Sequence, residues 1–182
     1  MNGNEQLALA SALTAKTNQL CIGLEDGVAD IFDLVTPTTA ELLHGWFGGE
    51  AKTTRRLNFH DGQRQAILNT IVAHEVLNAR DLKSLYQTAA PDALLSGTRL
   101  AEVSEAKHGH PKYCLKMATG TGKTWVLQAL LIWQLLNKNA VQAAGVDDTR
   151  FTRHFLIVAP GLIVYDRLLD AFCNLSYLPT VL

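Results

Sequence analysis

The glycine-rich stretch at residues 116–124, KMATGTGKT, constrains this chain more than any other part of the sequence. Gly120 and Gly122 can adopt positive φ, which lets the backbone approach an anion closely. The amides that follow them would converge at a helix N-terminus, where the helix dipole adds partial positive charge. Lys123 would reach the β- and γ-phosphates, and the Thr124 hydroxyl would ligate Mg²⁺. The stretch therefore predicts a phosphate-binding loop.

The residues on either side of this loop predict one strand–helix–strand unit. Residues 113–117 (YCLKM) have the length of a short strand, and residues 125–136 (WVLQALLIWQLL) have that of an apolar helix. Residues 154–159 (HFLIVA), which Pro-Gly follows, are typical of a buried parallel strand, and residues 162–173 of a further helix. Such a unit crosses over right-handed. The sequence therefore predicts an α/β fold with a parallel sheet and helices on both faces.

The first part of the chain predicts helices. Residues 5–20 carry leucines among alanines and polar residues, a loosely amphipathic pattern. Within residues 36–49, Pro37 suits a first helical turn, and Thr38 with Glu41 fits a capping box. We expect the apolar residues of this second helix to form a packing face rather than a ligand site.

Residues 57–79 predict another helix, because isoleucines, leucines and valines recur there at helical spacing. Asn58 or Asp61 could cap its N-terminus. Residues 80–111 form a connection longer than most loops, which we interpret as an insertion with short helices of its own.

Two polar clusters have both a plain and a functional interpretation. Lys52, Arg55 and Arg56 fit a solvated loop better than a patch that contacts phosphates. His108 and His110 fit a polar loop better than a metal pair, because no Cys, Asp or Glu stands at ligand spacing.

Composition excludes several classes of protein. Sixteen Lys and Arg against 17 Asp and Glu give a net charge of -1, so the chain has no global basic footprint for nucleic acid. Cys21, Cys114 and Cys173 form no CxxC pair, which favours a reducing compartment over a disulfide framework. The N-terminus lacks the basic region of a signal peptide, and no apolar run reaches the ~18 residues of a membrane span. We therefore expect a soluble, cytoplasmic protein.

Three motifs occur in an order that resembles a known family. Residues 59–67 (FHDGQRQAI) resemble the glutamine motif of superfamily 2 helicases, residues 117–124 their motif I, and residues 155–160 (FLIVAP) their motif Ia. The order of residues 36–47 (TPTTAELLHGWF) and then 58–71 (NFHDGQRQAILNTI) resembles the Res subunit of type III restriction enzymes and related DEAD/DEAH helicases in particular. Motif I departs from the strict phosphate-loop pattern at Met117, because that pattern has glycine at this position. ATP-dependent nucleic-acid motors commonly have another residue there.

The resemblance implies a set of site residues. Gln63 would read the adenine edge, with Phe59 packing near the base. Pro160 and Gly161 would meet the nucleic-acid backbone, whose contacts suit movement along any sequence. Mg²⁺ would be held at Thr124. The phosphates of ATP would be held by Thr119, Gly120, Thr121, Gly122, Lys123 and Thr124.

The resemblance also implies the organisation and partners of the chain. It makes residues 1–56 a helical N-terminal extension and residues 57–182 a partial RecA-like ATP-binding domain, with the insertion at about 80–111. The chain would be the N-terminal part of a DNA-dependent ATPase or helicase, a restriction-type translocase acting on double-stranded DNA. A modification methyltransferase subunit would be a further partner, and no membrane would be involved.

Two catalytic features of the family are missing from the sequence. The sequence contains no D-E-x-x motif, which in the family holds Mg²⁺ and activates water, and Asp147-Asp148 is the only candidate to replace it. It also contains no second lobe that would supply arginine fingers. We therefore assign no catalytic residue within this chain, and expect it alone to bind nucleotide weakly or not at all and not to turn over ATP. Two alternatives stay open. One is a small P-loop kinase or NTPase using Asp148 with Arg150 or Arg153; the other is an inert or interaction-only remnant whose loop is a structural turn.

Overall fold

The computed structural model describes residues 3–96, 98–159 and 161–173. The chain divides into two compact units, which we call the N-terminal unit (Met1–Lys116) and the C-terminal unit (Met117–Leu182). Within the described ranges, no helix is long and apolar enough to cross a membrane.

The N-terminal unit is helical throughout its described part. Short 3₁₀ helices occupy Asp30–Asp33 and Ala106–His108, and a π-helical turn occupies Val72–Val76. Its α-helices are α1 (Gly3–Leu20), α2 (Pro37–Phe47), α3 (Gly49–Thr54), α4 (Asp61–Ile71), α5 (Leu82–Ala89), α6 (Pro91–Leu94) and α7 (Arg99–Val103).

In the N-terminal unit, α1 packs against both α4 and α5. Leu9 of α1 packs against two clusters of buried apolar side chains, one around α5, α6 and α7 and one between the π-helical turn at Val72–Val76 and α5. Helix α4 presents a stripe at helical spacing, in which Ile67 and Ile71 are fully buried. Burial of such side chains contributes about 1.5–3 kcal/mol each, so the packing of α4 is a main source of stability.

A buried carboxylate fastens the N-terminus of α2 to the π-helical turn. The turn continues α4, and its i to i+5 bond runs from the Leu77 amide to the Val72 carbonyl (2.8 Å). Glu75 lies on it, only 4% exposed, and accepts hydrogen bonds from the Thr36 amide and from the Thr39 hydroxyl (2.8 Å to Oγ1). A charge buried with these donors is compensated locally.

The helix caps differ in part from the sequence predictions. Pro37 occupies the first turn of α2 as predicted, but Thr36 is the N-cap, with its hydroxyl accepting from the Thr39 amide at 3.1 Å. The predicted capping box of Thr38 and Glu41 is therefore wrong. Thr36 is the N-cap because proline at the first helical position places the preceding residue there.

The basic cluster of Lys52, Arg55 and Arg56 also differs from the predicted solvated loop. Helix α3 contains Lys52, which pairs with Glu25.

The described part of the C-terminal unit contains a long helix, α8 (Lys123–Ala143), and a second helix, α9 (Leu162–Cys173), which contact each other. One face of α8 is buried through Val126, Ala129, Trp133 and Asn137. Phe151 packs edge-on against the Trp133 ring, with 5.9 Å between centroids. Helix α8 extends seven residues beyond the predicted end at residue 136.

The predicted parallel sheet is wrong: the described residues of the chain form helices, turns and irregular segments, and neither residues 113–117 nor residues 154–159 form a strand. A parallel strand is stabilised when both of its faces are buried and when it has neighbours on the ladder. Leu156 and Val158 are instead 89% and 80% exposed. Two short strand-like stretches do not provide the burial that a parallel pair requires, so the apolar run at residues 154–159 stays irregular and largely exposed.

Candidate functional site

The phosphate loop has the backbone conformation that its glycines predict. Residues 119–120 form a turn, in which Gly120 has φ of 81°. Gly122 has φ of 70° and ψ of 39°, the left-handed region. A Cβ added at Gly120 would meet no atom within 4 Å. The requirement for glycine at Gly120 therefore comes from the backbone conformation and not from lack of space.

Helix α8 begins directly after the second of these glycines. Gly122 is its N-cap, and no side chain caps the helix. The amides of Lys123 and Thr124 occupy the first two helical positions, where an α-helix offers no acceptor of its own. A helix of 21 residues adds its dipole at this end. The loop thus brings main-chain donors and positive potential to one place.

Two polar side chains fold back onto the start of the loop. The Lys123 ammonium donates hydrogen bonds to the carbonyls of Met117 (3.2 Å) and Ala118 (2.8 Å). The Thr121 hydroxyl donates to the same Ala118 carbonyl at 2.7 Å. These three bonds hold residues 117–123 in a closed arch. The sequence did not single out these carbonyls, because residue identity does not specify which main-chain oxygens a lysine reaches.

The residues of this arch fit a nucleotide phosphate group with Mg²⁺. A Cβ at Gly122 would strain a backbone that already runs left-handed into the helix, and the lysine ammonium stays within the loop. Thr124 is half-buried in the first turn of α8, and Thr119 is exposed in the turn before it. Separately, no group of three or more metal-ligating side chains occurs among the residues that the structure describes.

The predicted adenine-reading residues lie in the N-terminal unit, at the start of α4. His60 is the N-cap of this helix, and its Nδ1 accepts from the amides of Gly62 (3.1 Å) and Gln63 (3.3 Å). The Gln63 side chain is buried, and its Oε1 accepts from the His60 amide at 3.0 Å, which completes a capping box. The predicted caps, Asn58 and Asp61, are therefore wrong. Histidine is outside the usual set of N-cap residues, so no pattern in the sequence marked His60 as the cap.

The Phe59 ring is half-buried in a cluster with two aromatic rings of α2. Its centroid lies 6.1 Å from that of Trp46 and 5.6 Å from that of Phe47. Such edge-on and tilted pairs are favourable beyond the area they bury. The structure thus gives Phe59 and Gln63 structural roles, and their roles toward adenine stay predictions.

A comparison with protein families gives a match over most of the chain. Residues 56–179, about two thirds of the chain, match the family model of the type III restriction enzyme, res subunit. The chain belongs to this res-subunit family. The resemblance seen in its helicase motifs is therefore confirmed, and the chain carries a helicase-like domain. No curated protein and no solved structure matches it.

The two residues that the res-subunit resemblance assigns to nucleic acid follow the extended apolar run. Pro160 lies outside the described residues. Gly161 is exposed, and its carbonyl accepts from the amides of Val164 (3.1 Å) and Tyr165 (3.0 Å) in the first turn of α9. Gly161 therefore begins a helix, and its contact with nucleic acid stays a prediction.

The acidic pair that could replace the family's D-E-x-x motif is engaged in a loop of its own. The Asp148 carboxylate accepts from the Arg150 guanidinium through Nε (3.1 and 3.0 Å) and Nη2 (2.7 Å). Asp147 pairs with Lys138 at 3.0 Å. A carboxylate held by a forked guanidinium is poorly suited to ligate Mg²⁺ at the same time. This arrangement counts against the form of the kinase alternative that uses Asp148 with Arg150 for separate tasks, and the form that uses Arg153 stays a prediction.

A contact that the sequence did not predict lies just before the loop. The Tyr113 hydroxyl is 3.2 Å from Nδ1 of His74, on the π-helical turn, and the two rings meet edge-on with 6.0 Å between centroids. Burial raises the pKa of Tyr113 to about 12. No sequence signal joins the two residues, because they are 39 positions apart and neither belongs to a motif.

Proposed function

We propose that this chain supplies the ATP-binding phosphate loop of a DNA-dependent helicase of the restriction-translocase type. The observation that carries the proposal is the conformation of the loop: left-handed Gly122 delivers the chain into the N-terminus of α8 with Lys123 as its first helical residue. A glycine-rich turn that ends in this way combines main-chain donors, helix dipole and a cation, the three features that bind phosphate chains.

Each residue of the loop then has a physical task. The amides at the start of α8 donate to phosphate oxygens, and Lys123 exchanges its carbonyl partners for the more strongly attracting β- and γ-phosphates. Thr124 would hold Mg²⁺, which when bound would neutralise charge on the phosphates. Gly120 and Gly122 keep the backbone close enough for these contacts.

We further infer that the chain by itself binds Mg-ATP weakly and does not hydrolyse it at a useful rate. No Asp-Glu pair stands in the sequence to hold Mg²⁺ and activate water, and Asp148 is committed to Arg150. Membership of the res-subunit family supports double-stranded DNA as the polymer on which the whole protein acts. It also supports a modification methyltransferase subunit as a partner.

The test is a titration of the purified chain with Mg-ATP, followed by backbone amide NMR shifts, which report weak binding. We expect the largest shifts at residues 119–124. Substitution Lys123→Ala should weaken binding roughly 10- to 100-fold, because it removes a hydrogen-bonding charge from the phosphates. The control is Lys107→Ala, whose side chain is 63% exposed and pairs with Glu105.

Two results would contradict the proposal. If Lys123→Ala bound Mg-ATP as tightly as the unchanged chain, the loop would be a structural turn. Phosphate release that is stimulated by DNA and lost in Lys123→Ala would contradict the inference that the chain alone does not turn over ATP.

A further inference from the structure

We propose that His74 and Tyr113 are positioning residues for the phosphate loop. Their contact fixes the segment that leads into the loop and thereby increases the affinity of the loop for a nucleoside triphosphate. The inference rests on the proposed function, and it adds to it a pair of residues that belong to none of the helicase motifs found in the sequence.

The segment that leads into the loop has no regular structure of its own. Residues 111–118 form neither helix nor strand. A stretch of this kind lacks the repeated main-chain hydrogen bonds that would hold it, so side-chain contacts determine how well it is ordered. The segment includes the carbonyls of Met117 and Ala118, onto which Lys123 folds. Order in the segment therefore bears directly on the position of the lysine.

Tyr113 is the residue of this segment that makes both a ring contact and a hydrogen bond with a helical element. The 3.2 Å separation from Tyr113 Oη to His74 Nδ1 is within hydrogen-bond range, and the rings lie at 73° to each other. Tyr113 keeps 37% of its surface exposed, so the contact is made at the edge of the unit. A tyrosine phenol is protonated over the physiological range, and burial moves the pKa of Tyr113 further above that range.

His74 is held far more firmly than its partner. Its neighbours on the π-helical turn are buried: Val72 and Ala73 have no exposed surface, and Glu75 is bonded to Thr36 and Thr39 of α2. The histidine therefore projects from a turn that is fixed on both sides. A contact between a fixed residue and an irregular segment orders the segment and leaves the fixed residue unchanged.

The effect on affinity depends on whether the loop is ordered before the ligand binds. A loop that becomes ordered only on binding loses conformational entropy at that step, which weakens binding. A loop that is already ordered does not have this loss. Tyr113 lies four residues before Met117, so an anchor there shortens the part of the chain that is left to order. The contact thus acts on nucleotide affinity without touching the nucleotide.

The experiment compares the full chain with Tyr113→Phe, His74→Ala and the double variant in the Mg-ATP titration. Tyr113→Phe removes only the hydroxyl, so it tests the hydrogen bond without risk to the fold. We expect each single variant to raise the Kd for Mg-ATP about two- to tenfold, the range of one hydrogen bond. The double variant should be no worse than the weaker-binding single variant, because one contact is lost in all three.

A second readout separates positioning from general stability. Without nucleotide, amide hydrogen exchange at residues 114–118 should quicken in Tyr113→Phe, while exchange in α4 stays unchanged. His74→Gln, which keeps a hydrogen-bonding group, should restore part of the affinity that His74→Ala loses. The matched control is Tyr165→Phe, a tyrosine of α9 that is 52% exposed, which should change neither readout.

The outcomes distinguish the two proposals. If Lys123→Ala loses binding but Tyr113→Phe binds as the unchanged chain does, or if the losses of the two single variants add in the double variant, only the positioning inference is overturned. If the unchanged chain binds no Mg-ATP, or binds it independently of Lys123, both proposals fail.

Discussion

Helices α4 and α8 each begin at residues that the helicase resemblance assigns to a nucleotide, yet their N-termini are built differently. At α4, His60 and Gln63 satisfy the end of the helix reciprocally with their own side chains. At α8, the N-cap is left-handed Gly122, and no side chain caps the helix. At α4, side chains form hydrogen bonds with the main-chain amides at the helix N-terminus. At α8, no side chain does so, and the first-turn amides face the loop.

The comparison extends to other helices of the N-terminal unit. The N-terminus of α2 is closed by Thr36 and by the buried Glu75, and that of α5 by a capping box of Asp81 and Ser84. Among these four helices of the described chain, α8 alone starts from a glycine. A helix end that is closed by side chains contributes stability, and one that is left to the backbone is suited to a ligand.

The largest effect should come from opening the N-terminus of α2. Glu75→Ala removes the carboxylate to which the Thr36 amide and the Thr39 hydroxyl donate, which should lower the free energy of unfolding by about 3 kcal/mol. Urea denaturation followed by circular dichroism measures this. The matched control is Glu41→Ala, an exposed glutamate of the same helix, which should stay within about 0.5 kcal/mol. A loss below about 1 kcal/mol would show that the carboxylate is not what closes this end.

The next effect concerns the glycine that starts α8. Gly122→Ala forces a side chain into the left-handed region, which should cost about 1–2 kcal/mol of stability and also weaken Mg-ATP binding. Gly45→Ala is the contrasting variant, because Gly45 lies within α2 with open space around it and should gain about 0.5–1 kcal/mol. Equal effects of the two substitutions would remove the distinction between the two kinds of glycine.

The smallest effect concerns the N-terminus of α5. The Ser84 amide holds the pKa of Asp81 below its usual value, and the Ser84 hydroxyl adds to this. Because the folded pKa is depressed, the stabilisation is present above about pH 3.8 and is lost as the pH falls through the folded pKa. Asp81→Ala should therefore cost about 1 kcal/mol at neutral pH and progressively less below pH 3.8. A cost that does not change with pH would argue against a charged cap.

Local patterns account for what the sequence predicted well. Helical periodicity and positive φ depend on residues that are close in the sequence. The structure of residues 162–173 and of the glycines in the phosphate loop could therefore be predicted locally. Helix α9 and the left-handed Gly122 accordingly have the predicted structure. The family itself was predictable because three motifs kept their order.

What the sequence did not predict depends on contacts between distant positions. Residues 154–159 have the composition of a buried strand, but a strand forms only where neighbours pair with it and cover it. Thr36 and Glu75 are also 39 positions apart, and nothing near either residue marks the other. His60 was missed for a different reason: an imidazole nitrogen can cap a helix, although histidine is rarely found in that role.

The π-helical turn at Val72–Val76 has a consequence for how the length of this chain can vary. A turn closed by an i to i+5 bond holds one residue more than an α-helical turn. Deleting one residue there would leave a continuous α-helix, whereas the same deletion within α4 would rotate every following side chain by about 100°. The turn is thus a place where a one-residue difference in length between relatives can be absorbed, at the cost of the contacts that His74 and Glu75 make.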